Sequence, residues 1–287
     1  MSNVTSLQNS ELLLPEVKTA LVAFLRGDGI ANYSSEVCVG TKKGDNYLGT
    51  ITRVSVKGTT ENGDEKTYNW MVKTAPGSEA LRKTVAVDDL YQREVYVYEK
   101  VIPTFRQFEI ERGVVDSFAV TPPLVLSLME PLKESFVMGD LKVSGFTMKN
   151  RLKPLEYGHV KEVVKAYGRL HALSYALRDQ KRDTFEELAR NTKEKLFTEA
   201  RVTMREAKMY QRFYTNKVMK IFDPNLHARE MDGFGRYAAK SVETVVRILK
   251  DGADNPHSVI GHGDGWINNM LFKYEVRNSN TKFPLLP

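Results

Sequence analysis

Several common protein classes are excluded by what this sequence lacks. It has one cysteine, Cys38, so no internal disulfide can form, and no cysteine and histidine cluster has the spacing of a zinc site. Cys38 reads as a packed strand thiol. No stretch approaches the roughly 18 consecutive apolar residues of a membrane span. Met1 to Leu14 lacks the charged start and apolar run of a signal peptide. These absences predict a cytoplasmic protein with no membrane span. Charge of one sign does not dominate either: the net charge is +6, but 42 Lys and Arg are spread along the chain and mixed with 36 Asp and Glu. That mixing argues against a nucleic-acid partner. Internal repeats, low-complexity tracts and long linkers are also missing.

What is present is enough for two compact lobes: 287 residues, 41% of them hydrophobic. Leu12, Leu13, Val17, Leu21, Phe24 and Leu25 predict a helix from Glu11 to Arg26, broken by Gly27-Asp28-Gly29. The runs Val37 to Val39, Tyr47 to Gly58 and Thr67 to Lys73, with the turn Glu61-Asn62-Gly63-Asp64, predict antiparallel hairpins. Asp88 and Asp89 start a helix to Ile102, with Tyr91, Val95, Tyr98 and Ile102 on one face and Pro103 as its stop. Further β-like runs lie at Gly113 to Phe118, Leu124 to Met129 and Glu134 to Met138. Helical spacing then covers His159 to Arg178, Thr184 to Tyr214 and Gly233 to Lys250. Strands first and helices afterwards predict an α+β chain of two lobes, 1–138 and 139–287, with the site in the cleft between them. One stripe, Arg201, Arg205, Lys208 and Arg212, reads as a solvated helix face, with an anion-attracting face as the alternative.

The segment with the most chemistry runs from Val259 to Lys273. Apolar Val259-Ile260 leads into Gly261-His262-Gly263-Asp264, then Gly265-Trp266-Ile267-Asn268-Asn269, then apolar Met270-Leu271-Phe272. It reads as strand, polar loop, strand. Phosphoryl transfer to an alcohol needs a carboxylate to accept the hydroxyl proton and oxygen ligands for a metal on the phosphates. Asp264 suits the first role, and Asn269 can offer its amide oxygen to the metal. His262 is grouped with the catalytic residues as a brace for this loop. A surface turn is the plain alternative, since all these residue types are common in loops. Elsewhere, Lys73 near the end of a β-like run can carry its ammonium into a cleft. Glu94, three residues after Tyr91 and four before Tyr98, turns toward the apolar face of its helix, where a carboxylate needs a cation. A Lys73–Glu94 pair meets that need.

His262-Gly263-Asp264 with Asn269 resembles the catalytic loop of the aminoglycoside and choline kinase-like phosphotransferases, and the longer His262 to Tyr274 stretch is most similar to the ecdysteroid kinase-like family. Other segments resemble that family in order. Lys42 to Tyr47, with Gly44, Asp45 and Asn46, resembles its nucleotide loop. Trp70 to Pro76 resembles the strand of its phosphate-binding lysine, here Lys73, and Arg93 to Tyr98 its glutamate helix, here Glu94. Phe136 to Leu141, followed by Gly145 to Arg151, resembles the hinge and its sequel, and Leu170 to Ser174 a helix of the second lobe, where His171 reads as structural. The resemblance spans about Val37 to Tyr274. It implies a two-lobed protein-kinase-like fold with an antiparallel-sheet N-lobe, a mostly helical C-lobe, and ATP and Mg2+ as cofactors. The acceptor it implies is a small-molecule alcohol, such as an ecdysteroid-like steroid. At the hinge the family usually has an acidic residue where this chain has Gly139. That exchange predicts a looser connection, with Met138, Asp140 and Leu141 around the adenine.

The resemblance also implies a second metal-binding aspartate beyond Asn269, and this sequence has no aspartate after Asp264, only Glu275. It therefore predicts a C-lobe incomplete at its end, as from read-through of a splice donor at Val276-Arg277. A catalytically dead relative that at most binds nucleotide is the alternative. A protein kinase fits less well, because Gly263 stands where such enzymes usually have arginine. Phe197, Tyr210 and Phe213 read as core residues, with an apolar acceptor site as the alternative.

Overall fold

A computed structural model describes residues 6–41, 48–118, 121–195, 197–202, 204–253, 255–277 and 280–282. Helix α1 (Pro15–Gly27) begins on a proline, whose missing N–H costs nothing in a first turn, and its apolar stripe buries Val17, Leu21 and Leu25. It lies on one face of a sheet formed by β1 (Ile30–Val39), β2 (Thr50–Thr60), β3 (Glu65–Thr74), β4 (Leu124–Leu128) and β5 (Ser135–Gly139). The strand order is β1-β2-β3-β5-β4 and every pairing is antiparallel. The β2–β3 hairpin closes at Gly63, whose φ of 87° suits glycine. Alternation then sorts the faces: Val54, Val56, Trp70, Val72 and Val137 pack beneath α1. Truncating a buried leucine such as Leu21 to alanine costs about 2–5 kcal/mol in such a core.

The opposite face carries the elements that position the site. After the short α2 (Glu79–Thr84), α3 (Val87–Tyr96) buries Tyr91 and Val95 against Phe136 and Ala75. Pro103 does not end this helix. A π-helical turn at Val97–Val101 leads directly into α4 (Ile102–Glu111), which has Pro103 in its first turn. The wider turn moves the carbonyls that a proline ring would otherwise strike. Gly113 to Phe118 forms turns and no strand; Glu109, buried, accepts the Phe118 N–H with both oxygens at 2.9 Å.

Beyond β5 the chain makes a 3-10 turn (Leu141–Ser144) and β6 (Thr147–Met148), then turns helical: α5 (Tyr157–Gln180), α6 (Arg182–Asn191), α7 (Glu199–Val202), α8 (Arg205–Met219) and α9 (Ala228–Ala253). Strand β7 (Leu271–Phe272) pairs with β6, and β8 (Glu275–Arg277) with β9 (Asn280–Lys282). Val259-Ile260, expected as a strand, forms none. Two cores hold α5 and α6. One joins Val101, Phe105 and Phe108 to Leu177, Leu188 and Ile260, and the other joins Val163 and Ala166 to Met270 and Phe272. The architecture is α+β, as expected. Phe197 and Phe213 are not core residues: they are 47% and 52% exposed, because the chain presents them outward. Lys208 and Arg212 are exposed, whereas the side chains of Arg205 and Tyr210 lie outside the described residues.

Candidate active site

The first cluster is built on β3. Residues Trp70 and Val72 face α1, so the two-residue period turns Lys73 to the other face, where its register partners are Ile51 and Phe136. Lys73 Nζ donates to Glu94 Oε2 at 2.6 Å, and the ammonium stands 5.3 Å from the Tyr91 ring centroid and 5.5 Å from that of Phe136. The pair is half-buried, with side chains 20% and 35% exposed. Aromatic walls on two sides limit the directions in which Lys73 can lean, which pre-orients a compact positive charge.

The β1–β2 connection leaves the sheet beside this lysine. Gly40 N–H donates to the Ile51 carbonyl at 2.8 Å, and Tyr91 Oη donates to the Leu48 carbonyl at 2.9 Å. Gly49 has φ 110°, and a β-carbon there would strike the Thr74 carbonyl and the Tyr91 hydroxyl. Burial pushes the Tyr91 hydroxyl far above its ordinary pKa, with the Glu94 charge adding to the effect. The predicted loop residues Gly44, Asp45 and Asn46 lie outside the described residues.

At the other end of the sheet, Met138 pairs with Met71 and Leu124. Asp140 follows. Its carboxylate is 3% exposed, accepts from Arg53 Nε at 2.7 Å and caps the Leu141–Ser144 turn by accepting from Lys142 N–H at 2.9 Å. Asp140 N–H donates to the Asn69 carbonyl at 2.9 Å. This side chain is therefore occupied in holding β2, β3 and the turn together. Gly139 does not loosen the connection: its N–H donates to the Pro123 carbonyl at 2.9 Å, and a β-carbon would stand 3.0 Å from Pro123 Cγ. The glycine permits close packing of strand against proline.

The second cluster is local. Gly263, with φ 78°, turns the chain so that Asp264 N–H donates to His262 Nδ1 at 3.1 Å, which leaves the proton of a neutral His262 on Nε2. Residues Ile267–Asn269 form a 3-10 turn that swings Asn269 back. Its Nδ2 donates to the Asp264 carbonyl at 3.0 Å and to Asp264 Oδ2 at 2.9 Å. The amide nitrogen is thus committed to Asp264 and the amide oxygen is the atom left for a cation. Asp264 is exposed, while Asn268, Met270 and Phe272 anchor the loop's exit. Its entrance is anchored by Ile260, whose N–H donates to the buried Ser174 hydroxyl at 2.8 Å.

Two contributors are not expected from sequence. Tyr167, one more apolar-face residue of its helix by periodicity, lies under the loop: a β-carbon on Gly265 would meet its hydroxyl, and its ring packs at 6.2 Å from both His171 and His262. Burial and then the Asp264 charge raise its pKa. Ser174 is the other; its one sequence signal is a small hydroxyl one turn from Leu170 and Leu177 on a buried stripe. The two clusters are mechanically joined by the α3–α4 helical run. Glu94 sits on α3, and Val97, Val101 and Phe105, farther along, belong to the packing around Ile260.

No three acidic, histidine or cysteine side chains converge as a metal cluster among the described residues. Asp264 and Asn269 instead supply one carboxylate and one amide oxygen. Such a donor set fits magnesium that draws its remaining ligands from nucleotide phosphates and water. When bound, that ion would neutralise phosphate charge.

A family model described as "Ecdysteroid kinase-like family" matches residues 43–285. The match thus begins after the expected Val37 and runs past Tyr274. No curated protein and no solved structure gives a match.

Proposed function

The chain belongs to the ecdysteroid kinase-like family, a family of kinase-like phosphotransferases, and on that premise we propose that it transfers the γ-phosphoryl group of ATP to a hydroxyl of a small molecule. The observation that carries this reading is the Asp264–Asn269 arrangement, an exposed carboxylate steadied by an amide whose oxygen is left over. In the reaction, Asp264 accepts the proton of the acceptor hydroxyl as its oxygen bonds to the γ-phosphorus. The bond from that phosphorus to the β-phosphate bridging oxygen breaks, and ADP leaves. Lys73, oriented by Glu94, meets the phosphate oxygens of the nucleotide, while Met138 and Leu141 flank the base. His262 holds the loop through the Asp264 N–H and takes no proton from substrate. Asp140 contributes by fixing the hinge. The family description suggests a steroid alcohol as acceptor, which would need an apolar surface beside Asp264.

The direct test is magnesium-dependent ATP turnover with a panel of hydroxylated steroids and small amino alcohols, run beside Asp264→Ala. Turnover that disappears in the variant supports the reading. A protein that binds ATP, is stabilised by it and turns over none of the panel is a nucleotide-binding relative without transferase activity. A protein that neither binds nor turns over ATP refutes both.

A further inference from the structure

Helix α3 has two working stripes. Tyr91, Glu94 and Val95 face the sheet and Lys73. Asp89, Arg93 and Tyr96, spaced i, i+4 and i+7, form a second stripe, and all three are bound to the end of α6, to the stretch between α6 and α7 or to α7 itself. Asn191 Nδ2 donates to Tyr96 Oη at 3.2 Å. Arg93 Nη1 donates to the Lys193 carbonyl at 3.2 Å and lies 3.7 Å from Glu194. Asp89 receives Lys195 Nζ at 2.6 Å and Arg201 Nη2 at 3.5 Å. Arg201 is the first residue of the basic stripe that reads from sequence as a solvated face; here its charge is spent on α3.

We propose that Asp89 and Arg93 are positioning residues: they strap α3 to the helical half of the protein and thereby set the Lys73–Glu94 geometry. This rests on the reading of Lys73 as a phosphate-binding residue. The physical reason is that the packing of Tyr91 and Val95 fixes how deep α3 sits, while slippery apolar contacts resist rotation poorly. Directional bonds on the far stripe supply that resistance, and rotating α3 about its axis is the motion that would withdraw Glu94 from Lys73. The strap ends on α7, immediately before α8, so a ligand that shifts these helices also shifts α3. Asp89, Arg93, Arg201 and Glu194 side chains are 23–32% exposed and Lys195 is 46% exposed, so the strap is reached by salt.

The experiment compares the unaltered protein with Asp89→Asn/Arg93→Gln and with the conservative Asp89→Glu. Amide hydrogen exchange is followed over Val87–Tyr96 without nucleotide, and Mg-ATP affinity is measured at low salt and at about 1 M salt, where screening acts within roughly 3 Å. Partly exposed pairs are each worth up to about fivefold in an equilibrium. The neutral double variant is therefore expected to exchange faster in α3 with the sheet unchanged, and to bind ATP about tenfold more weakly at low salt. The difference should shrink at high salt, where the ion pairs of the unaltered protein are screened, and Asp89→Glu should keep most of the affinity, which a generally damaged fold would not. Unchanged exchange in α3, or loosened exchange with unchanged ATP affinity, overturns the strap. Absence of ATP binding by the unaltered protein overturns the nucleotide reading on which it rests.

Discussion

The two clusters of the site are made in opposite ways. Lys73 and Glu94 come from a strand and a helix 21 residues apart, meet between aromatic rings and are half-buried. His262, Asp264 and Asn269 lie within eight consecutive residues and meet through a turn, with His262 and Asp264 exposed. The first arrangement depends on the sheet register and on the seating of α3, so damage to the fold reaches it. The second depends on turn chemistry, with its ends clamped by two cores, so it keeps its shape as long as Ile260 and Phe272 stay seated.

Perturbations of the exposed loop should therefore strike chemistry and spare stability. Asp264→Asn is expected to lower kcat by about 10²–10⁴ through loss of the base, with the melting temperature changed by less than the equivalent of about 0.5 kcal/mol. Steady-state kinetics and thermal melting measure the two, and a large loss of stability would break the contrast. Lys73→Met is expected to weaken Mg-ATP binding about 10- to 100-fold by removing a charged hydrogen-bond donor. Calorimetry on this variant and on Glu94→Gln, which should lose less, tests whether the pair works as a unit.

Glycine substitutions sharpen the comparison further. Gly49→Ala forces a β-carbon onto Thr74 and Tyr91 and should cost more than about 3 kcal/mol in urea unfolding. Gly263→Ala, at φ 78° with open space around it, should cost about 1 kcal/mol. Equal costs would mean that the two clusters are not built differently. Ser174→Ala strips the partner from the buried Ile260 N–H and should cost about 1–3 kcal/mol by the same measurement.

The smallest expected effect is a pH dependence at the exit of the loop. His159 is buried, bonded through Nε2 to Tyr274 Oη at 2.9 Å, and packed on Phe272 at 4.8 Å. Desolvation, then the Lys149 charge, depress its pKa below 6.5, with Glu156 opposing them in part. The folded state therefore holds fewer protons than the unfolded one below that value. Its contribution is present above pH 6.5 and is lost as pH falls through and below it. Denaturation between pH 7.5 and about 5 should show this decline, and His159→Phe should flatten it.

Local features are legible in the sequence itself. A spacing of five between Asp264 and Asn269, flanked by apolar runs, is enough to expect a loop that turns the two toward each other, because turn geometry depends on neighbours. Glu94 can be assigned to the inner face of its helix from Tyr91 and Tyr98 alone. Pro103 misleads, because a π turn displaces the obstruction that makes proline a stop. Gly139 misleads as well, since its meaning comes from Pro123, 16 residues away and brought alongside by the sheet. Phe197 and Phe213 mislead too: aromatic residues in a helical pattern suggest a core, yet both are about half exposed.

Periodicity, turn residues and one spaced motif are thus sufficient for the α+β class, the order of most elements and the choice of the candidate acid and amide, while family resemblance points to the lysine. They act over a few residues, so a linear reading captures them. Which charges meet is decided only by the assembled fold. Asp140 finds Arg53, and Asp89 finds Lys195 and Arg201, across 87 to 112 residues. Nothing local distinguishes those carboxylates from others on the surface, because ion-pair partners are chosen by proximity, and proximity is made by packing.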